Sequence, residues 1–110
     1  MSIVSDNNVS EALRYLAEFP HPFAIARKDL TDAENELKRI WAVVYGEQTG
    51  PIKDKECATD RDERVVAARN GVSKATFDLE THRARTKAGE MILEIWRTEN
   101  ANARAAERVR

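Results

Sequence analysis

The sequence is poor in residues that break helices and in residues that cross-link chains. Its 110 residues include four glycines, three prolines and one cysteine, and aromatic residues make up 6%. A single cysteine cannot form an internal disulfide, which excludes a disulfide-stapled scaffold. The low glycine and proline content excludes a collagen-like or loop-rich chain. A composition with 34% charged and 42% hydrophobic residues is typical of a charged helical protein with a narrow core.

Long apolar runs and an excess of one charge are missing as well. The longest uncharged apolar run is Ile40–Tyr45, whereas a membrane-spanning helix needs about 20 residues, so we expect no membrane span. Eighteen Lys and Arg against 19 Asp and Glu give a net charge of −1, which carries no whole-chain signature for nucleic acid or an anionic membrane. The opening MSIVSDNN lacks the basic and apolar regions of a signal peptide, so we expect none. The single cysteine favours a reducing location, so we expect a cytoplasmic protein.

Two groups of helix-breaking residues divide the chain into three segments. The first is Pro20-His21-Pro22, and the second is Gly46–Pro51. Asn8 and Glu11 form a capping pattern at the start of the first segment. We therefore predict a single helical domain over residues 1–110, with three helices at residues 8–19, 23–46 and 54–104.

Apolar residues recur at alternating steps of three and four along the second and third segments. In the second segment these positions are Phe23, Ala26, Leu30, Ala33, Leu37, Ile40 and Val44. In the third they run from Ala58 to Trp96, with polar interruptions at Arg61, His82 and Thr86. Matched stripes on either side of a short Gly-Pro loop predict an all-α fold, a long antiparallel helical hairpin resembling a coiled coil. Pairing Val44 with Ala58 then sets Leu37 opposite Val65.

The third helix is longer than the second, so its C-terminal half needs another surface to cover it. We expect the short N-terminal helix to pack there through Val9, Leu13 and Leu16, with Leu13 opposite Gly89. Asn70-Gly71 is a turn signal within the third helix. Because the stripe keeps its phase there, we expect a continuous helix or a mild kink near residues 70–71.

One stretch of the third helix is apolar over an arc of about 200°, which is too wide for a single packing partner. A wide apolar arc left in water usually marks an interface, so we predict self-association as a dimer or larger oligomer. The alternative is that the first helix wraps over this arc and completes a monomeric bundle. The predicted interface consists of Met91, Ile92, Leu93, Ile95 and Trp96.

Charge is distributed unevenly along the chain. Residues 82–110 hold seven basic and four acidic side chains. Basic side chains can contact phosphates or an acidic partner, although the helix dipole alone also favours them near a helix C-terminus. We weight the dipole explanation above nucleic-acid binding. The candidate contacts are Arg83, Arg85, Lys87, Arg97 and Arg104.

Catalytic and metal-binding motifs give no support to an enzyme. Carboxylate pairs at helical spacing, such as Asp60 with Glu63, have basic residues interleaved, which is typical of a solvated helix face. The zinc motifs Cys-x-x-Cys and His-Glu-x-x-His are absent. We expect His82 to be a hydrogen-bonded histidine within a helix interface. The expectation is a protein without catalytic residues, cofactor or metal.

The C-terminal run ILEIWRTENANARA, from Ile92 to Ala105, resembles the ending of small α-helical hairpin proteins of tailed bacteriophages and prophages. The motif Ala26-Arg27-x-x-Leu30-x-x-Ala33-Glu34-x-x-Leu37-Lys38 also fits, as does the Gly50-Pro51 loop followed by Lys-Glu-Cys-Ala. The likeness covers roughly residues 20–105. No catalytic activity is established for the family. The resemblance implies a phage protein in the cytoplasm of a bacterial host, encoded among genes for DNA recombination and replication.

Three hypotheses about function follow from these observations. The first is a non-enzymatic phage interaction protein, accessory to DNA recombination or replication, that binds a phage or host protein and self-associates. The second is an anti-CRISPR or other anti-defence inhibitor that binds a host effector. The third is direct DNA binding through the basic C-terminal helix.

Overall fold

A computed structural model describes residues 3–109, which form four α-helices and no β-strand. The helices are α1 (Asp6–Leu16), α2 (Pro22–Glu47), α3 (Ile52–Arg61) and α4 (Glu63–Val109). The prediction of an all-α fold is confirmed. The described residues group into two compact units. A hairpin unit comprises residues 24–80, and a terminal unit combines the chain up to Phe23 with the chain from Thr81 onward.

The hairpin unit pairs α2 with α3 and the first part of α4. Its core follows the predicted stripe, because Val44 and Val65 are fully buried and Leu79 is 6% exposed. The Trp41 indole Nε1–H donates a hydrogen bond of 3.2 Å to Asp60 Oδ1. This contact lies within one residue of the predicted register, and the antiparallel hairpin is confirmed.

The prediction of one helix over residues 54–104 is wrong near its start. The helical segment begins at Ile52, and Asp62 interrupts it in an extended conformation with φ −63° and ψ 135°. The Asp62 carboxylate accepts hydrogen bonds from the backbone N–H and the Nε–H of Arg64, at 2.9 and 3.0 Å. A side chain that bonds the backbone in this way caps a new helix instead of continuing the old one. At residues 70–71, where a kink was the alternative, α4 is continuous, and it extends to Val109.

The N-terminal helix also differs from its predicted bounds of 8–19. It begins at Asp6 because the Ser5 hydroxyl caps it, accepting a hydrogen bond from the Asn8 backbone N–H at 3.1 Å. It ends at Leu16, and just beyond this residue the Glu18 backbone N–H donates a hydrogen bond of 3.3 Å to the Tyr15 carbonyl. The second helix lies within one residue of its predicted bounds, with Pro22 in the first helical position, which suits proline.

In the terminal unit, α1 packs on the C-terminal half of α4, as predicted. The pairing differs from the prediction, because Leu13 is 51% exposed and does not pack into the seam. The seam is the face of α4 that contacts α1 and includes His82 and Gly89. Leu16 lies over Gly89 instead, with carbon atoms 3.6 Å from the position of a Cβ at that glycine. The buried face of α1 carries Val9, Ala12 and Tyr15. The Tyr15 hydroxyl contacts His82 and Thr86 on the seam of α4. Because Tyr15 and Leu13 lie on opposite sides of α1, a rotation of the helix that buries Tyr15 exposes Leu13.

Candidate functional site

The candidate site is the C-terminal half of α4, from residue 81 to residue 109. Within the terminal unit, α1 and the residues before it pack on this part of the helix. The Ile3 backbone N–H donates a hydrogen bond of 2.6 Å to Glu99 Oε1, and residues 101–109 beyond that point are all exposed. The helix therefore presents solvent-accessible surface along its whole C-terminal half.

The five predicted interface residues divide between two faces of α4. At about 100° per residue, Leu93 and Trp96 continue the line of Gly89, which faces α1. Met91 and Ile95 lie on the opposite face. Met91 is 59% exposed and Trp96 is 38% exposed, while Ile92, Leu93 and Ile95 are half-buried. The structure thus assigns part of the apolar arc to α1 and leaves part of it at the surface.

The five predicted basic contacts also divide, by their angular position on the helix. Arg83, Lys87, Arg97 and Arg104 lie along one side of α4. Arg85 lies on the side of α1, where its guanidinium carbon is 4.1 Å from the centroid of the Tyr15 ring. All five side chains are exposed.

Acidic residues interrupt the line of basic ones. Glu90 and Glu94 fall on the same side of α4 as Arg97, and an Arg97 guanidinium nitrogen lies 3.8 Å from a Glu94 oxygen. The Arg83 guanidinium is 6.0 Å from the centroid of the Phe23 ring. The result is a surface of mixed sign, which differs from the dense basic patch of a typical DNA-binding face.

A hydrogen-bonded polar cluster joins α1 to α4 at the centre of the seam, with Tyr15 buried and His82 and Thr86 half-buried. Tyr15 is 3% exposed, and its hydroxyl lies 3.1 Å from His82 Nδ1, 3.3 Å from the His82 carbonyl and 3.4 Å from Thr86 Oγ1. The Tyr15 and His82 rings are parallel, with centroids 6.1 Å apart. The prediction of a hydrogen-bonded interface histidine is confirmed. Because its polar groups are satisfied, the cluster fixes the pairing of the two helices.

Sequence reasoning did not identify Tyr15 as the partner of these polar positions. The signal was present in two places. Val9, Ala12 and Tyr15 follow one another at steps of three, and His82 and Thr86 are polar residues four apart on an otherwise apolar stripe. Polar side chains within a helix interface need hydrogen-bond partners, which the facing helix can supply.

A cleft of about 150 Å³ opens beside this cluster, between α1 and α4. Its lining includes Asn8, Glu11, Tyr15, Arg85 and Ile92. Aromatic, aliphatic, acidic and basic side chains meet there, so the cleft favours no single class of ligand.

The carboxylates of the hairpin unit belong to structural ion pairs. The Trp41 indole N–H and the Arg69 guanidinium, the latter at 2.7 Å, hold the pKa of Asp60 below its usual range. The Arg64 guanidinium does the same for the pKa values of Asp62 and Glu47. Trp41–Asp60 and Glu47–Arg64 are contacts across the hairpin, whereas Asp60–Arg69 and Asp62–Arg64 join α4 to the end of α3. These carboxylates keep their charge near neutral pH.

Within the part of the chain that the structure describes, no group of three or more His, Cys, Asp and Glu side chains is arranged to hold a metal ion. Over the same residues, no helix has the length and apolar character needed to span a membrane. A comparison of the chain with protein-family models, curated proteins and solved structures found no match.

Proposed function

We propose that this protein is a non-enzymatic helical interaction protein of bacteriophage origin, accessory to phage DNA recombination or replication. It acts by binding another macromolecule through the C-terminal half of α4. The phage context rests on the resemblance of residues 92–105 to phage hairpin proteins. The binding role rests on the surface of α4 itself.

The observation that carries the binding role is the exposure of apolar side chains among charged ones on that helix. Met91 and Trp96 are 59% and 38% exposed, and Arg97 follows Trp96 directly. Tryptophan and arginine are enriched among the residues that contribute most to protein–protein affinity. An exposed tryptophan bordered by a cation therefore suits a site that captures a protein partner.

Affinity capture with purified phage recombination and replication proteins tests the proposal. We expect the wild-type chain to retain one of them, and Trp96→Ala to lose at least about tenfold in affinity. Val43→Ala, which shortens a half-exposed side chain of α2, is the matched control. Retention of a host nuclease or defence effector instead would indicate an anti-defence inhibitor.

Direct DNA binding is the second candidate, favoured by the exposure of Lys87, Arg97 and Arg104 on one side of α4. It predicts binding to labelled single- or double-stranded DNA that weakens steeply as salt rises, because bound phosphates release counterions. The double variant Arg97→Ala with Arg104→Ala should weaken this binding on every sequence alike. Binding that is absent at low salt would remove this candidate and leave the protein partner.

A further inference from the structure

We propose that a second copy of this chain binds α4 in antiparallel orientation, on the face opposite to α1. This inference rests on the proposed function, since it names one binding partner of the same helix. It begins from a stripe of uncharged residues centred on the face of α4 away from the seam with α1. We call this the outer stripe: Ala84, Ala88, Met91, Ile95, Thr98 and Asn102.

The outer stripe has the spacing of a coiled-coil seam. Its residues recur at alternating steps of four and three, and none is charged although Asp, Glu, Lys and Arg make up 34% of the chain. All are exposed except Ile95, which is half-buried. The stripe lies roughly 160° around the helix from the seam that holds Gly89 and Leu93. A helix with two uncharged stripes on opposite faces is built to pack on two sides.

Side-chain sizes along the stripe fit an antiparallel partner. When Ala88 of one copy meets Met91 of the other, the next layer brings Ala84 against Ile95. Two-fold symmetry repeats both contacts, so each large side chain packs on a small one. A parallel pairing would instead place Ala88 on Ala88 and Met91 on Met91, which leaves some layers underfilled and crowds others.

Charges beside the stripe favour the same orientation. Lys87 precedes Ala88 by one residue and Glu94 follows Met91 by three, so the antiparallel layer places them side by side, twice in the dimer. In a parallel dimer Glu94 would face Glu99 of the second copy, five residues further along. Like charges at such positions oppose pairing.

Glu94 is accessible for this contact. Its side chain is 75% exposed, and the distance of 3.8 Å to the 70% exposed Arg97 describes a weak surface pair. Lys87 is exposed as well. Both side chains lie on the flank of the stripe away from Arg85 and Ile92. Those two residues line the cleft beside α1 together with Ala88, the member of the stripe nearest to α1, which remains exposed.

The first experiment measures the mass of the full chain by sedimentation velocity and light scattering over a wide range of protein concentration. We expect a monomer–dimer equilibrium in the wild type. Met91→Glu should raise the dimer Kd at least about tenfold, because it places an unpaired charge in a packed layer. Val43→Glu, at a position of α2 that is 50% exposed, should leave the Kd within about twofold of wild type. Circular dichroism confirms that each variant remains helical.

The second experiment exchanges the two charges. Lys87→Glu and Glu94→Lys should each weaken the dimer, and the double variant should restore it. Strengthening by Glu94→Lys alone would show the parallel arrangement and overturn the proposal. A wild-type chain that stays monomeric, or a dimer that Met91→Glu leaves intact, would also overturn it. Partner capture that depends on Trp96 is measured separately, so the dimer and the proposed function can fail independently.

Discussion

The two compact units use one spacing of residues to build different interfaces. In the hairpin unit the stripe closes into a mainly apolar core, where Val44 and Val65 are fully buried. The one buried polar side chain among the described residues of this unit, Thr59, bonds the Lys55 carbonyl of its own helix, and the ion pairs of Arg64 lie outside the core. In the terminal unit the seam is polar at its centre, where Tyr15 bonds His82 and Thr86. An apolar core stabilises the hairpin through burial, whereas the polar cluster specifies which faces of α1 and α4 meet. The faces of α4 that α1 does not contact stay available to partners.

The largest effect should follow from a charge in the hairpin core. Val65→Asp places a carboxylate at a position with no solvent exposure, and we expect a loss of more than about 3 kcal/mol in the free energy of unfolding. Val66→Asp, at a neighbouring position that is 44% exposed, should cost less than about 1 kcal/mol. Urea unfolding followed by circular dichroism measures both variants. Equal losses would show that the hairpin does not depend on its apolar core.

A smaller loss should follow when the terminal unit loses its central hydroxyl. Tyr15→Phe keeps the ring but leaves His82 Nδ1 and Thr86 Oγ1 without this partner, at a cost of about 1–2 kcal/mol. Hydrogen exchange should report faster exchange in α1 and in residues 81–109, with residues 24–80 unchanged. Tyr45→Phe in the hairpin unit is the matched control. Slower or unchanged exchange in α1 would contradict a stabilising polar seam.

Replacement of two glycines of α4 by alanine should stabilise the protein, and the two positions differ in the space around them. Gly71 is helical with open space where a Cβ would lie, so Gly71→Ala should raise the free energy of unfolding by about 0.5–1 kcal/mol. A Cβ at Gly89 would lie 3.6 Å from Leu16, an ordinary packing distance, so Gly89→Ala should be tolerated with a similar or smaller gain. Thermal unfolding of both variants tests this. A loss of stability in Gly89→Ala alone would mean that Leu16 cannot shift to accommodate the added methyl group.

The smallest effect concerns pH and belongs to the hairpin unit. The lowered pKa values of Asp60, Asp62 and Glu47 mean that the folded state binds protons less readily than the unfolded chain. Their contribution to stability is therefore full above the ordinary values of 3.8 and 4.5 and is lost as the pH falls through the folded-state values. The urea concentration at the unfolding midpoint should therefore decrease as the pH is lowered from neutral through this range. Asp60→Asn should flatten the fall, and an unchanged slope would contradict the role of its ion pair.

Heptad spacing predicted most of the fold, because burial along a stripe depends on periodicity more than on the identity of each residue. The core at Val44, Val65 and Leu79 followed from it directly, whereas the bounds of α2 followed from the helix-breaking residues on either side. The break at Asp62 did not, since it depends on one carboxylate bonding the backbone of Arg64, a local competition that periodicity does not record.

The candidate site was predicted in composition but not in arrangement. The predicted apolar arc comprised Met91, Ile92, Leu93, Ile95 and Trp96. Of these, Leu93 and Trp96 lie on the side that faces α1, and Ile92 lines the cleft beside α1. The rotation of α1 decides this division, and that rotation depends on Tyr15 finding His82. A tertiary hydrogen bond between residues 67 positions apart leaves no local pattern to identify it.

That separation has a consequence during protein synthesis. The hairpin unit starts to close beside its loop, where Trp41 bonds Asp60 across 19 positions of the chain, so it can begin to form while the chain is still growing. The N-terminal helix must wait until His82 has left the ribosome, about 3–13 s after Tyr15 at typical rates of roughly 5–20 residues per second. During that interval Val9, Leu13 and Leu16 form an unpaired amphipathic segment. A chaperone or an already completed copy of the chain can reach that segment before α4 does.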